Sequence, residues 1–193
     1  MLSPIMIKDR HTIKGHGAAV VWLTGLSGAG KSTIARALEE MLILHGVHTM
    51  LLDGDSLRTG LNADLGFSRD DRANSVLRAA QVASLMVDAG LVVIVAMISP
   101  FESDRLSARR CVRSAPFLEV HVDAPLEVCE GRDPKGLYKR ARGGEIKHFT
   151  GLDSPYESPS NAEIVLRTHQ MSLQDCLQNL LNALRVRGVI PAD

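Results

Sequence analysis

Apolar positions along this chain switch between two spacings, and the switches mark its elements. "AVVWLT" (residues 19–24) is a short apolar run near glycines, which predicts a buried strand. Beyond it Ile34, Ala37, Leu38, Met41 and Leu42 recur at the spacing of about 3.6 residues that defines a helix, ending near Gly46. "HTMLL" (48–52) predicts a second strand, and "RANSVLRAAQVASLMVDAG" (72–90) a long helix closed by Gly90. "LVVIVAMI" (91–98) has no polar residue, so it belongs inside a parallel sheet covered on both faces. A helix over about 102–113, a strand "FLEVHV" (117–122) and a short helix opening at Pro125 follow, proline being preorganised for a first helical turn. The last helix carries the stripe Leu173, Cys176, Leu177, Leu180, Leu181 and Leu184, with Ser172 and Asp175 spaced to cap its start. Strands alternating with helices predict an α/β domain built on a parallel sheet.

Two stretches break the pattern. Residues 1–17 are polar and aperiodic, which predicts a mobile or loosely docked arm preceding a single domain over 18–193. Residues 133–159 hold four glycines and three prolines and predict a long mobile lid, because loops of that length are functional or disordered.

Composition narrows the function. Lysine plus arginine and aspartate plus glutamate both number 22, so no global field favours nucleic acid or an anionic membrane. The longest apolar run falls far short of the roughly 20 residues that span a bilayer, and charges occupy the amino terminus where a secretory signal needs apolar residues. The expected location is cytoplasmic. Cys111, Cys129 and Cys176 are widely spaced without a CxxC pair and are expected to be free thiols. The seven histidines show no metal spacing.

"GLSGAGKS", Gly25 to Ser32, fits the phosphate-loop pattern and lies between a strand and an amphipathic helix, where that loop has to lie. Its glycines, Gly25, Gly28 and Gly30, let backbone N–H groups turn toward phosphate oxygens, and the helix start adds partial positive charge. Lys31 is placed to reach the β- and γ-phosphates of ATP, and the Ser32 hydroxyl to coordinate Mg²⁺. Such a loop needs an acid at a neighbouring strand end, yet "LVVIVAMI" ends in Ser99 and Pro100. Asp53, directly after "HTMLL", and Asp55 are the candidates, since strand carboxyl ends converge on the ligand crevice.

Further along, Arg58 and Arg72 offer planar forks for phosphate or sulfate, and Phe67 offers a face for a base. Together they suggest a nucleotide acceptor. The lid carries Arg132, Lys135, Lys139, Arg140, Arg142 and Lys147 against Asp133 and Glu145, which suits closure around a moving phosphoryl group. Phe149 at its end is placed to stack opposite Phe67.

With "GLSGAGKST", "LDGD", "GLNADLGFS", "VDAG", "ISP", "VDAPLEVCEGRDPKGLYKRAR", "GEIKHFTG" and "SPYE" in view, the chain resembles the adenylylsulfate kinases from about Val20 to Glu157. The resemblance implies a three-layer phosphate-loop kinase fold and phosphorylation of the 3′-hydroxyl of adenosine 5′-phosphosulfate by ATP with Mg²⁺, in sulfate assimilation. It implies that Gly25, Leu26, Ser27, Gly28, Ala29, Gly30, Lys31, Ser32 and Thr33 hold ATP, with Arg132 against its adenine. Asp53 and Ser32 would order the metal, and Asp55 would lie near the acceptor hydroxyl. Arg58 and Arg72 would grip the phosphosulfate, and Phe67 and Phe149 would sandwich the acceptor adenine. Ser75, Ile98, Ser99, Lys135, Gly136 and Leu137 would line the same pocket. Ser99 matches a serine described in the family as a phosphoserine intermediate, although in-line transfer needs no covalent step and a strand-end serine also suits substrate binding. A homodimer and a link to ATP sulfurylase are further implications.

The chain departs from the family pattern in the acceptor region. Ser56 and Thr59 stand for an asparagine and a histidine, Asn74 for a glutamate, Ser75 for a substrate-contacting asparagine, Leu77 for an arginine and Met97 for a phenylalanine. These changes keep open a kinase with another nucleotide or small hydroxyl acceptor, and a non-catalytic nucleotide-sensing module.

Overall fold

The structure, a computed structural model, describes residues 7–191. Five strands form one parallel sheet in the order β2-β3-β1-β4-β5: β1 (Ala19–Thr24), β2 (Thr49–Asp53), β3 (Val92–Ala96), β4 (Phe117–Asp123) and β5 (Ile164–Arg167). β1 and β3 are buried at every position, as their unbroken apolar runs require. Alternate β1 residues feed two cores. Ala19, Val21 and Leu23 pack with Ile34, Leu38 and Leu42 of α2 (Lys31–Leu44) and with Leu177, Leu180 and Leu184 of α8 (Leu173–Val186). Val20 and Trp22 pack with Val76, Ala80 and Ala83 of α4 (Arg69–Asp88) and Ala108 of α5 (Glu102–Cys111). The result is the expected three-layer arrangement.

The topology sets the ligand crevice. β1 connects through α2 to β2, on the far side of β3, while β3 connects through α5 to β4, on the far side of β1. The direction of winding therefore reverses between β1 and β3, and ligands bind at the carboxyl ends beside such a reversal.

Several boundaries shift for local reasons. α4 begins at Arg69, three residues before the expected start, because Ser68 and Asp71 form a reciprocal capping box. α3 (Gly54–Arg58) is capped by Asp53, whose carboxylate accepts the Asp55 N–H. β5 has no counterpart in the sequence reading: it is a four-residue edge strand with polar neighbours and one buried side chain, Leu166. The described part of the expected arm contains a helix. α1 (Ile7–Lys14) is a helix docked on the domain: Arg10 donates to the Asp88 carbonyl, Lys14 meets His48 Nδ1 at 2.6 Å, and Gly17 N–H donates to Val189 O at 2.8 Å. Its amphipathicity is weak, so hydrophobic spacing carried no signal. The expectation for residues 1–6 lies outside the described residues.

The lid is more ordered than a glycine-rich loop suggests. α6 (Leu126–Arg132) leads into it, and α7 (Leu137–Arg142) lies within it, held by Asp133, whose carboxylate accepts the N–H groups of Tyr138 and Lys139. The three cysteines are free, and no described helix is long and apolar enough to cross a membrane.

Candidate active site

The phosphate loop turns from β1 into α2. Gly25, at φ 150°, passes directly against the Val122 carbonyl, and a Cβ on Gly28 would lie 2.7 Å from the Cys129 carbonyl, so neither position admits a side chain. Gly30 precedes α2 without a side-chain cap, which leaves the first helical N–H groups available to an anion. Three side chains brace the loop from outside. Tyr138 Oη donates to Ser27 O at 3.0 Å, Thr168 Oγ1 donates to Ala29 O at 2.7 Å, and Arg132 donates to Thr168 Oγ1 at 3.0 Å and Thr168 O at 2.8 Å. Tyr138 and Thr168 escaped the sequence reading of roles. Tyr138 stood inside a basic stretch, and Thr168 follows the unanticipated β5.

Lys31 opens α2 and donates to Gly25 O at 2.9 Å and Leu26 O at 2.7 Å. Burial, helped by nearby Lys135, lowers its pKa to about 8, with Cys129, Asp53 and Asp55 opposing the shift. The sign for ligand binding follows. Bound phosphates favour the ammonium, so above about pH 8 the free protein has lost a proton that the complex must regain, and binding weakens as pH rises. We expect the Kd of a non-hydrolysable ATP analogue to rise by up to about tenfold per pH unit above about 8, with proton uptake in calorimetry. A flat Kd across that range would show that Lys31 keeps its proton when free.

Asp53 ends β2, in register with Ala96 of β3, and is buried. One oxygen accepts the Asp55 N–H at 3.0 Å, and the other, Oδ2, is buried without a partner among the described residues. An unpaired carboxylate oxygen in a cavity shared with Ser32 fits a Mg²⁺ site. No cluster of three or more His, Cys, Asp or Glu side chains suited to a metal occurs among the described residues.

Of the ATP-, metal- and acceptor-site residues the resemblance implies, all but Gly25, Leu26, Ala29 and Gly136 line one cavity of about 770 Å³; of the lid cations only Arg132 and Lys135 do, Lys139 and Lys147 lying outside it, while Arg140 pairs with Glu145 and Arg142 with Glu130. Gly25 and Leu26 instead present carbonyls to Lys31, and Gly136, at φ 64°, shapes the turn into α7. At the acceptor end the Asp55 carboxylate pairs with lid residue Lys135. The Arg58 guanidinium lies 4.1 Å over the Phe67 ring and donates to Gly66 O at 3.2 Å. Phe67 is 52% exposed and lines the cavity, so a face of its ring is open to a ligand. Phe149 is 8% exposed and packs edge-on against Tyr138 at 4.9 Å. Asp153 accepts the N–H groups of His148 and Phe149, fixing the turn that aims Phe149. Arg72 does more than supply charge, because it donates to Phe67 O at 3.1 Å and His148 O at 2.8 Å and so ties α4 to both aromatic segments.

Ser99, 2% exposed, has a left-handed φ of 39°, and its Oγ accepts from the Trp22 indole at 3.1 Å. Its carbonyl accepts from Arg105 Nη1 at 2.9 Å. Arg105 is 1% exposed and also meets Glu119 at 2.7 Å and the Glu157 carbonyl at 2.8 Å. Tyr156 Oη meets Thr24 Oγ1 at 3.1 Å. This buried network joins the ends of β1 and β3 to the segment behind the lid. Spacing alone carried no hint of it, since its members lie far apart in the chain.

A phosphate loop at a winding reversal, a buried lysine and strand-end aspartate beside it, and Arg132 and Lys135 at the wall of an arginine- and phenylalanine-lined pocket define a phosphate-loop kinase. The adenylylsulphate kinase family model matches residues 17–167. The chain belongs to that family. It is 53% identical to the adenylyl-sulfate kinase of Marinobacter nauticus over 96% of this chain and 93% of that protein. It is 52% identical to an Escherichia coli adenylyl-sulfate kinase over 97% and 92%. Among solved structures, the Mycobacterium tuberculosis APS kinase in complex with AMPPNP and APS superimposes with a TM-score of 0.85 at 47% identity, covering 88% of this chain and 98% of that one. A Janibacter sugar kinase at 20% identity and TM-score 0.60 shares the fold.

Proposed function

We propose that this chain transfers the γ-phosphoryl group of ATP to the 3′-hydroxyl of adenosine 5′-phosphosulfate, giving 3′-phosphoadenosine 5′-phosphosulfate and ADP in sulfate assimilation. The observation that carries this reading is the single cavity that joins Lys31 and Asp53 at one end to Arg58, Phe67 and Phe149 at the other. Family membership and the kinase names of close relatives support it.

The residues divide the task. Gly28, Gly30 and the start of α2 cradle the triphosphate, and Lys31 neutralises charge on the moving phosphoryl group. Arg132 would lie against the ATP adenine. Ser32 and Asp53 would hold Mg²⁺, which when bound offsets charge on the β- and γ-phosphates. Phe67 and Phe149 hold the acceptor adenine, Arg58 and Arg72 face its phosphosulfate, and Ile98 and Leu137 close the pocket. Asp55 orients the 3′-hydroxyl once Lys135 leaves it for the substrate's anionic group. With its Oγ turned to Trp22, Ser99 is read as a wall residue rather than a covalent phosphate carrier. We further read the protein as a cytoplasmic homodimer with a functional link to ATP sulfurylase; sedimentation at the monomer mass would remove the dimer.

The deciding experiment measures ADP release with adenylylsulfate against a panel of nucleotide and sugar acceptors. Turnover with another acceptor and none with adenylylsulfate would replace the substrate, and no turnover with any acceptor would favour a nucleotide-sensing module. Within the leading reading, Phe67→Ala is expected to raise KM for adenylylsulfate roughly tenfold or more, the size of a stacked base, with KM for ATP little changed. Equal losses for both substrates would show that Phe67 only supports the pocket.

A further inference from the structure

Asn62 and Ser75 meet at the wall of the acceptor half. Asn62 Nδ2 donates to Ser75 Oγ at 2.9 Å, and the two residues are 1% and 3% exposed. Ser75 lines the cavity, one helical turn beyond Arg72, whereas Asn62 stands behind it. The Asn62 backbone is held on both sides, its N–H donating to Leu57 O at 2.8 Å and its carbonyl accepting from Leu65 at 3.1 Å. Its side-chain Oδ1 is buried with no partner among the described residues.

A serine hydroxyl has one proton and two lone pairs. Asn62 occupies a lone pair, and no hydrogen bond from the Ser75 proton to a protein acceptor occurs among the described residues, which leaves that proton for whatever fills the cavity. The fold alone does not explain Asn62. A buried carbonyl oxygen without a partner lowers stability, and leucine has nearly the same shape without that loss. A stability loss at a ligand wall fits the trade between stability and activity.

Resting on the adenylylsulfate kinase reading, we propose that Asn62 is a positioning residue that turns the Ser75 hydroxyl into a hydrogen-bond donor for a lone pair of the acceptor nucleotide. Two short side chains, one behind the other, thereby take the part of the single asparagine expected at position 75 from the family pattern.

The test uses Ser75→Ala, Asn62→Leu and the double variant, with KM measured separately for adenylylsulfate and ATP and with thermal midpoints. Each single change is expected to raise KM for adenylylsulfate about fivefold to tenfold, the size of one net hydrogen bond, with KM for ATP unchanged. The double variant should be no worse than either single one, because the two residues act as one donor. Asn62→Leu should melt no lower than the wild type. An unchanged KM for adenylylsulfate in Ser75→Ala overturns the proposal, as do additive losses in the double variant or a KM for ATP that rises in step. Wild-type turnover of adenylylsulfate is read in the same experiment. Its absence overturns the proposed function, whereas turnover with an unaltered KM in the variants overturns this inference alone.

Discussion

Replacing Lys31 by alanine is expected to lower kcat by about a thousandfold while the protein stays folded. The ammonium stands at the start of α2, between the loop carbonyls of Gly25 and Leu26, in the cavity that also holds Asp53 and Asp55. On the proposed reading it faces the reacting phosphates, and a preorganised charge in a water-poor cleft is worth far more than one in water. Stability should not suffer. Burial lowers the Lys31 pKa from 10.5 to about 8, so at neutral pH the folded state carries a charge it partly desolvates. The unfolded chain binds more protons than the folded one between those two values. Wild-type stability therefore rises with pH across that window, and the alanine variant loses this rise. Steady-state ADP release at saturating substrates, paired with melting curves at two pH values, checks both parts. A kcat within tenfold of wild type would remove Lys31 from the chemistry.

The second large effect is structural. Arg105→Ala is expected to destabilise the domain by about 3–5 kcal/mol, because it leaves Glu119 at the core edge without its main partner and strips a donor from two carbonyls. Arg105 is 1% exposed and spends its guanidinium on Glu119, Ser99 O and Glu157 O. Arg109, 3.5 Å from Glu119 and 2.8 Å from Glu163, recovers only part of the pairing. Denaturant midpoints measure the loss. Pairing the change with Glu119→Leu should restore part of it, since removing both ends of a buried pair avoids an uncompensated charge. Independent, additive losses would mean that the two side chains are not coupled. Activity should fall more than stability alone explains. Ser99 sits at φ 39°, a backbone state that persists only where the surroundings hold it, and Arg105 is one of the groups holding it.

Much of this was legible along the chain because the signals were local. The phosphate loop is a contiguous pattern, and the unbroken apolar runs of β1 and β3 announced interior strands. Asp53 and Asp55 follow by elimination, because the central strand ends without an acid. What escaped had a common character. β5 is short and half exposed, α7 lies among glycines and basic residues, and α1 has too weak an apolar face to register by period. Tyr138, Thr168, Asn62 and Arg105 sit in segments where nothing nearby explains them. Their partners are Ser27, Ala29, Ser75 and Glu119, of which only Ser75 and Glu119 lie within twenty residues of them.

The amino-acid sequence by itself determined the α/β architecture, the phosphate loop and the residue types of an acceptor pocket. Each depends on hydrophobic period or on neighbours along the backbone, and those are properties of a linear string. Tertiary structure alone decided that Asp53 keeps one carboxylate oxygen free, that Arg72 ties Phe67 to the lid, that Ser99 faces Trp22, and that Asn62 stands behind Ser75. Hydrogen bonds and desolvation depend on distances of a few ångströms between groups brought together only by folding, so their roles appear once the chain has closed on itself.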